Sequence, residues 1–426
     1  MRRDVVGRRP KSVWLRRTET FAESSDIWES AVSKGRIVAI EAGRLLTPAK
    51  TLSPARLVVE GTHIAEVGTA EAVRIPTGAE RVDASNLVVT PGFIDPHIHG
   101  CGGADVMDGT YESLNVVSRI LARHGTTAFL PTTVSAPPDV LTSALEKLGG
   151  LMSKNFDGAR PLGIHLEGPF ISAYKRGTHK AGSVLAPNAE LFAQWIRVSG
   201  DSVRLVTIAP ELEGIDSVIH VANDSGIVAA MGHSNATFDQ ASRGAGRGVC
   251  YAVHTFNAMR GFSHRDPGIV GEVLLSDRIF AEIITDGAHV DPAVVRLFAR
   301  VKGKDRVLLV TDAISATDMP DGRYVLGPDA VNVVDGVCRN AEGRLAGSTL
   351  TQDVALRNFV NWTDWSIEDA ILGLTLNPSK ALKLERKGVL EPGADADIAI
   401  LDGQFRVMKT FVAGKLVFDR KTGQSA

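Results

Sequence analysis

The chain has 426 residues, 44% hydrophobic and 23% charged, which is the composition of a soluble globular protein and excludes a disordered or fibrous one. Its 47 basic and 49 acidic residues leave a net charge of -2, so no global field recruits nucleic acid or an anionic membrane, and an anionic substrate must be met locally. Three scattered cysteines, Cys101, Cys250 and Cys338, exclude a disulfide framework and favour a reducing, cytoplasmic setting. No apolar stretch reaches the roughly 18 residues of a membrane span.

Residues 1–35 are Arg-rich but contain no apolar h-region, so they do not read as a secretory signal. Mixed charge and the acidic "AESSDIWES" also argue against a transit peptide, and the segment is expected to be a poorly ordered extension. Residues 36–90 read as short β segments punctuated by Gly and Pro. The same texture returns over 386–426, where Ala-Gly sits between two β-like runs as in a hairpin, which predicts one small β-sandwich domain built from both chain ends.

Residues 91–385 alternate differently. Eight apolar runs of strand length, "GFIDPHIHG", "TTAFLPTTV", "PLGIHLEGPF", "VRLVTIAPE", "GIVAAMGHS", "CYAVHTFNA", "FAEIITDGAH" and "RVLLVTDAI", are separated by stretches of helical periodicity such as "YESLNVVSRILARHG". Eight β/α repeats predict an α/β fold of the TIM (β/α)8 barrel type. Parallel barrel strands bring their C-terminal ends to one mouth, and these runs end in His97 and His99, His165 and Glu167, His233, His254, Asp286 and His289, and Asp312.

On a strand, side chains at i and i+2 share a face, so His97 and His99 reach one cation while Ile98 packs outward. With Glu167, His233 and His254 they are five candidate metal ligands, a set of imidazoles and a carboxylate suited to Zn²⁺ or Fe²⁺. Such a cation lowers the pKa of a bound water from about 15.7 to about 7. Asp312 on the last strand is the candidate catalytic acid and base, with a further ligand or a helix cap as the alternatives. His165, one layer below Glu167, reads as a supporting group or a satisfied core histidine. His63, His124, His220 and His264 carry no assigned role, "HGCGGAD" lacks phosphate-loop spacing, and Cys101 has no base beside it to make it a nucleophile.

These features resemble the amidohydrolase superfamily. Within it, "HLEGPF", "MGHSNAT", "HTFNAM" followed by "HRDPGIVG", "DGAHV", "VTDA" and "LAGSTLT" look like the N-acetylglucosamine-6-phosphate deacetylase family, from about Arg36 to the C-terminus. The resemblance implies Glu167, His233 and His254 as ligands of the principal metal and Asp312 as acid and base. It implies that Asn257 and Ala258 hold the sugar and phosphate, and that Arg265 and His289 serve the phosphate. Thr178 and His179 belong to a loop over the sugar, with His179 polarising the acetamide carbonyl, and Ala346, Gly347 and Ser348 close from another loop. Some members lack the strand-one histidines and use one metal; His97 and His99 allow a second here. The implied reaction is hydrolysis of N-acetyl-D-glucosamine 6-phosphate to acetate and D-glucosamine 6-phosphate, in amino-sugar catabolism and cell-wall sugar recycling, by a homodimer whose partner chain helps form the phosphate pocket.

Other readings remain at this point. A cyclic-amide hydrolase or deaminase would share the barrel, but many use a bridging lysine on strand four and "VRLVTIAPE" has none. A catalytically dead homologue would have lost a ligand or Asp312, and none is lost. Related amino sugars differ at a single stereocentre that the sequence does not read.

Overall fold

A computed structural model describes residues 35–48 and 50–425; the extension expected over residues 1–35 falls almost wholly outside them. All eight runs form strands of one parallel barrel: β1 (Phe93–Ile98), β2 (Thr126–Thr133), β3 (Ile164–Glu167), β4 (Val203–Ile208), β5 (Val228–Met231), β6 (Tyr251–Ala252), β7 (Phe280–Ile284) and β8 (Val307–Val310). Each pairs in parallel with the next. The ring closes just past β8, where Ala313 bridges Ile98, the Asp312 amide donates to the His97 carbonyl at 3.0 Å and the His99 amide to the Ala313 carbonyl at 2.8 Å. Closure therefore takes place at the residues that carry the candidate chemistry.

Strands buried on both faces need apolar residues on both, which is why these runs are continuous rather than alternating. Side chains at i and i+2 still share a side: Ala128 and Leu130, Val228 and Ala230, and Leu308 and Val310 join one apolar cluster with Leu205 and Tyr251. A larger cluster, including Phe170, Phe192, Trp195 and Phe298, joins strands to the helical shell. The first shell helix, Tyr111–Arg123, is capped by the Thr110 side chain and buries Leu114, Val117 and Leu121 on one stripe.

Both chain ends build a mixed nine-stranded sheet in which Glu80–Pro91 runs parallel to Ile37–Leu46 and antiparallel to Ile398–Leu401. Residues from both ends, among them Ile40, Leu57, Val59, Ile400 and Phe411, share one core. The expected Ala-Gly hairpin joins Val407–Val412 to Lys415–Asp419, with Ala413 and Gly414 at φ 46° and 75°, the left-handed pair that a tight two-residue turn demands. A three-stranded antiparallel sheet, Gly322–Leu326, Asp329–Val334 and Val337–Asn340, follows β8 and was not foreseen from the sequence. Its Leu326, Val331 and Cys338 pack with Val134, Ile314 and Ala346 over the barrel mouth.

His124, which ends the first shell helix, ties it to the helix Gln352–Trp362 and to the segment after β8: its Nδ1 lies 2.9 Å from Asp353 and its Nε2 3.9 Å from Asp318. Burial alone would lower its pKa, but the two carboxylates push it up to about 9. The folded value exceeds the unfolded one of about 6.5, so this stabilisation is full below pH about 6.5 and is lost as pH rises through about 9. His124→Gln is expected to cost about 2 kcal/mol near pH 6 and much less above pH about 9, measured as the gap in thermal midpoint or denaturant stability between wild type and variant across pH.

Candidate metal centre and substrate cleft

Glu167, at the end of β3, is buried at the centre of four imidazoles. Its Oε1 lies 3.2 Å from His233 Nε2, 3.1 Å from His254 Nε2 and 3.4 Å from His97 Nε2, and its Oε2 lies 3.4 Å from His99 Nε2. His233 and His254 place their Nε2 atoms 3.0 Å apart. On the other side, Asp312 Oδ1 lies 3.2 Å from His99 Nε2 and 3.6 Å from His97 Nε2. Two adjoining donor sets thus share Glu167.

The fit to a cation can be tested on spacing and on tautomers. Bonds of about 2.0–2.1 Å at tetrahedral angles separate ligand atoms by about 3.3 Å, close to the spacings found in both sets. His99 Nδ1 lies 3.1 Å from the Thr132 carbonyl and His233 Nδ1 3.0 Å from the Lys175 carbonyl. A carbonyl only accepts, so each Nδ1 carries the proton and each Nε2 turns a lone pair inward. His97 Nδ1 faces the Glu282 carboxylate at 2.8 Å, and its buried Nε2 has no hydrogen-bond partner among the described residues, as suits an atom meant for a metal. The residues fit a divalent cation.

His179 differs from His97, His99 and His233. Its Nδ1 accepts the Ser135 amide at 3.0 Å, so its proton sits on Nε2, 3.5 Å from Glu167 Oε2. Although His179 stands close enough to Glu167 and His233 to complete a ligand group, this tautomer makes it a donor aimed into the cleft.

The electrostatics follow from these contacts. Burial opposes ionisation of Glu167, but the His97 charge and close contacts with His179, His233 and His254 hold its carboxyl well below the usual range. Burial likewise opposes ionisation of Asp312, and His97 and His99 outweigh it to keep the acid low. Burial would lower His99, yet Asp312 and Glu167 push it up to about 9. His165 stays neutral, driven well below its ordinary value by burial and the neighbouring His97 charge. With Nε2 on the Thr207 hydroxyl at 2.8 Å and its ring edge-on to His97 at 4.7 Å, His165 supports that imidazole.

A cleft of about 170 Å³ opens above these groups. Thr178, His179, Asn257, Ala258, His289, Asp312 and Gly347 line it with His99, Glu167, His233 and His254; Leu326 and Leu345 add an apolar wall. His97 lies beneath, fully buried. Ala346 lines a neighbouring recess beside Thr178 and His179. Ser348 sits behind Asp312, donating its amide to the Asp312 carbonyl at 2.8 Å and its hydroxyl to the Thr311 carbonyl at 2.6 Å. His289 is pinned by Asp286 at 2.7 Å, which outweighs burial and raises its pKa. Arg265 stands exposed in a loop and is not among the residues that line the cleft of its own chain.

Sequence reasoning missed Glu282. This fully buried acid on β7 takes hydrogen bonds from His97 Nδ1 at 2.8 Å, the Tyr251 hydroxyl at 2.7 Å and the His254 amide at 2.9 Å. The available signal was a single acid within the apolar run "FAEII".

Residues 88–417 match the model of the amidohydrolase family. The chain belongs to that family. Amidohydrolases are generally dependent on divalent metal ions, in keeping with the donor sets above. The N-acetylglucosamine-6-phosphate deacetylase of Lysinibacillus sphaericus is 38% identical over 339 residues, 80% of this chain and 88% of the relative. The N-acetylgalactosamine-6-phosphate deacetylase of Escherichia coli O157:H7 is 36% identical over 378 residues, 88% of this chain and 98% of the relative. Among solved structures, a mutant N-acetyl-D-glucosamine-6-phosphate deacetylase from Mycobacterium smegmatis in complex with N-acetyl-D-glucosamine-6-phosphate superposes with a TM-score of 0.84 at 33% identity, covering 90% of this chain and 99% of that one.

Because Glu167 is common to both donor sets while His179 donates, the two should separate in a metal assay. Glu167→Ala is expected to lose bound zinc after dialysis, whereas His179→Asn should retain the wild-type content by elemental analysis; zinc loss from His179→Asn would make it a ligand.

Proposed function

We propose that this amidohydrolase removes the acetyl group from N-acetyl-D-glucosamine 6-phosphate, giving D-glucosamine 6-phosphate and acetate in amino-sugar catabolism. The observation that carries the reading is the convergence, in one cleft, of an ionised aspartate, a histidine whose proton sits on Nε2, and two donor sets sharing one carboxylate. The 38% identical relative named N-acetylglucosamine-6-phosphate deacetylase supports the substrate.

A cation held by Glu167, His233 and His254, with Zn²⁺ or Fe²⁺ as the metals these donors favour, would supply Lewis acidity at the acetamide carbonyl and acidify water there. Asp312, unprotonated at neutral pH, takes the proton from the attacking water and returns it to the nitrogen as the C–N bond breaks. His179 donates from Nε2 to the carbonyl oxygen, where negative charge builds in the transition state. The water oxygen ends in acetate, and the sugar leaves as the free amine. Thr178, Asn257, Ala258 and Gly347 orient the sugar, and the raised pKa of His289 suits it to the phosphate.

His97 and His99, with Asp312 and the shared Glu167, would hold a second cation. Arg265, exposed on its own chain, would reach the phosphate in the cleft of a partner copy, making the active unit a homodimer. Three unpaired cysteines favour the cytoplasm.

The test follows acetate release from apo-protein reconstituted with Zn²⁺ or Fe²⁺, offered N-acetylglucosamine 6-phosphate, N-acetylgalactosamine 6-phosphate and unphosphorylated N-acetylglucosamine. Metal-dependent release from the phosphorylated glucosamine derivative is expected, with Asp312→Asn lowering kcat by about 10²–10⁴ and His179→Asn by about 10²–10³. Faster turnover of the galactosamine compound would reassign the sugar. Release from none of the three would refute the reading.

A further inference from the structure

Glu282 lies on the far side of His97 from the cleft, since the imidazole turns Nδ1 to Glu282 and Nε2 to the donor set containing His99 and Asp312. Three donors converge on its two oxygens. Tyr251 takes Oε1 at 2.7 Å, while the His97 ring at 2.8 Å and the His254 amide at 2.9 Å share Oε2. A carboxylate accepts without donating, so it satisfies all three at once. It is fully buried and its oxygens are already engaged, which leaves it no part as a ligand of a cation in the cleft.

One oxygen therefore holds a ring from one donor set and the backbone of a histidine from the other. From the metal-dependent reading above, we infer that Glu282 is the positioning residue that makes His97 a ligand, and that it determines whether the set of His97, His99 and Asp312 can hold a second cation. The argument runs through the tautomer. Among the described residues nothing else is placed on His97 Nδ1, so without an acceptor there the proton could move to Nε2 and block the lone pair. The same bond makes the imidazole more electron-rich and fixes its ring, both of which strengthen a metal bond. The other three Nε2 donors do not depend on Glu282 in this way: His99 and His233 have main-chain carbonyl acceptors, and His254 meets Glu282 only through its amide.

The experiment titrates substrate-free apo-protein with Zn²⁺ alone, counting bound metal by elemental analysis and taking the two affinities by competition with a chromophoric chelator. Wild type is expected to bind two zinc ions. Glu282→Ala should weaken the weaker site by about 10–100-fold and the tighter site far less. Glu282→Gln should weaken it less than Glu282→Ala, because the amide carbonyl still accepts from His97 and the amide NH₂ can donate to Tyr251. Adding either change to His97→Ala should produce no further loss at the second site, the mark of action through that ring. A wild type that binds one zinc, a Glu282→Ala protein with both affinities intact, or losses that add to those of His97→Ala would overturn the inference. Should Glu282→Ala fail to fold, Glu282→Gln alone and with His97→Ala decides it, wild-type affinity at the second site counting against. Acetate release is not read, so a protein that binds two zinc ions but cleaves no amino sugar would sink the proposed activity and leave this inference standing.

Discussion

A single buried carboxylate, Glu167, within 3.1–3.4 Å of four imidazole nitrogens, is the contact on which the rest of the site depends. Burying a charge is costly unless it is paired, and here the pairing is mutual: the acids raise the basicity of His97 and His99, and the imidazoles hold Glu167 and Asp312 ionised. A cluster of this kind attracts positive charge of any form. Protons can supply it one at a time, whereas a dication supplies it at one point to the lone pairs of its own donor set, so metal binding and protonation compete for the same atoms.

Backbone geometry maintains that convergence. His233, His254 and Asp312 lie at φ 44°, 27° and 50°, in a region that residues with a Cβ seldom occupy. Such conformations persist only where surrounding contacts over-determine them. For Asp312 those contacts are its amide on His97, its carbonyl on the Ser348 amide, and Gly347, whose own φ of 60° and close approach to Ile314 leave no space for a side chain. The bonds that close the barrel are thus the bonds that aim the candidate base, and stability of the ring and placement of the aspartate cannot be separated.

The barrel was legible because its strands lie in apolar runs, six of the eight ending in a metal-capable or acidic group at the mouth, and because His97 and His99 stand at the one spacing that puts both on one face. The hairpin around Ala413 and Gly414 was legible for a similar local reason, its turn chemistry. The sheet over 322–340 was not, since strands such as Asp329–Val334 alternate exposed and buried residues and complete their core only against Val134, Ile314 and Ala346. Glu282 escaped notice because its partners, His97, Tyr251 and His254, are contributed by two other strands or the turns beyond them. Ser348 looked like a cleft residue and instead braces Asp312 from behind, a difference set by which way a short loop bridges onto the end of β8.

His97, His99, His165, His179 and His233 are chemically identical, and what separates their roles is the group that meets each ring nitrogen turned away from the cleft. A main-chain carbonyl on Nδ1 prepares His99 and His233 to give a lone pair. A carboxylate does the same for His97 with added basicity, and a main-chain amide on Nδ1 turns His179 into a donor. His165, held between two threonine hydroxyls, is kept out of both roles and serves as the floor. Three of these partners are backbone atoms, invisible to any comparison of side chains, so the division of labour among like residues is written in the path of the chain: a loop displaced by one hydrogen bond would exchange a ligand for an acid without altering a single functional side chain.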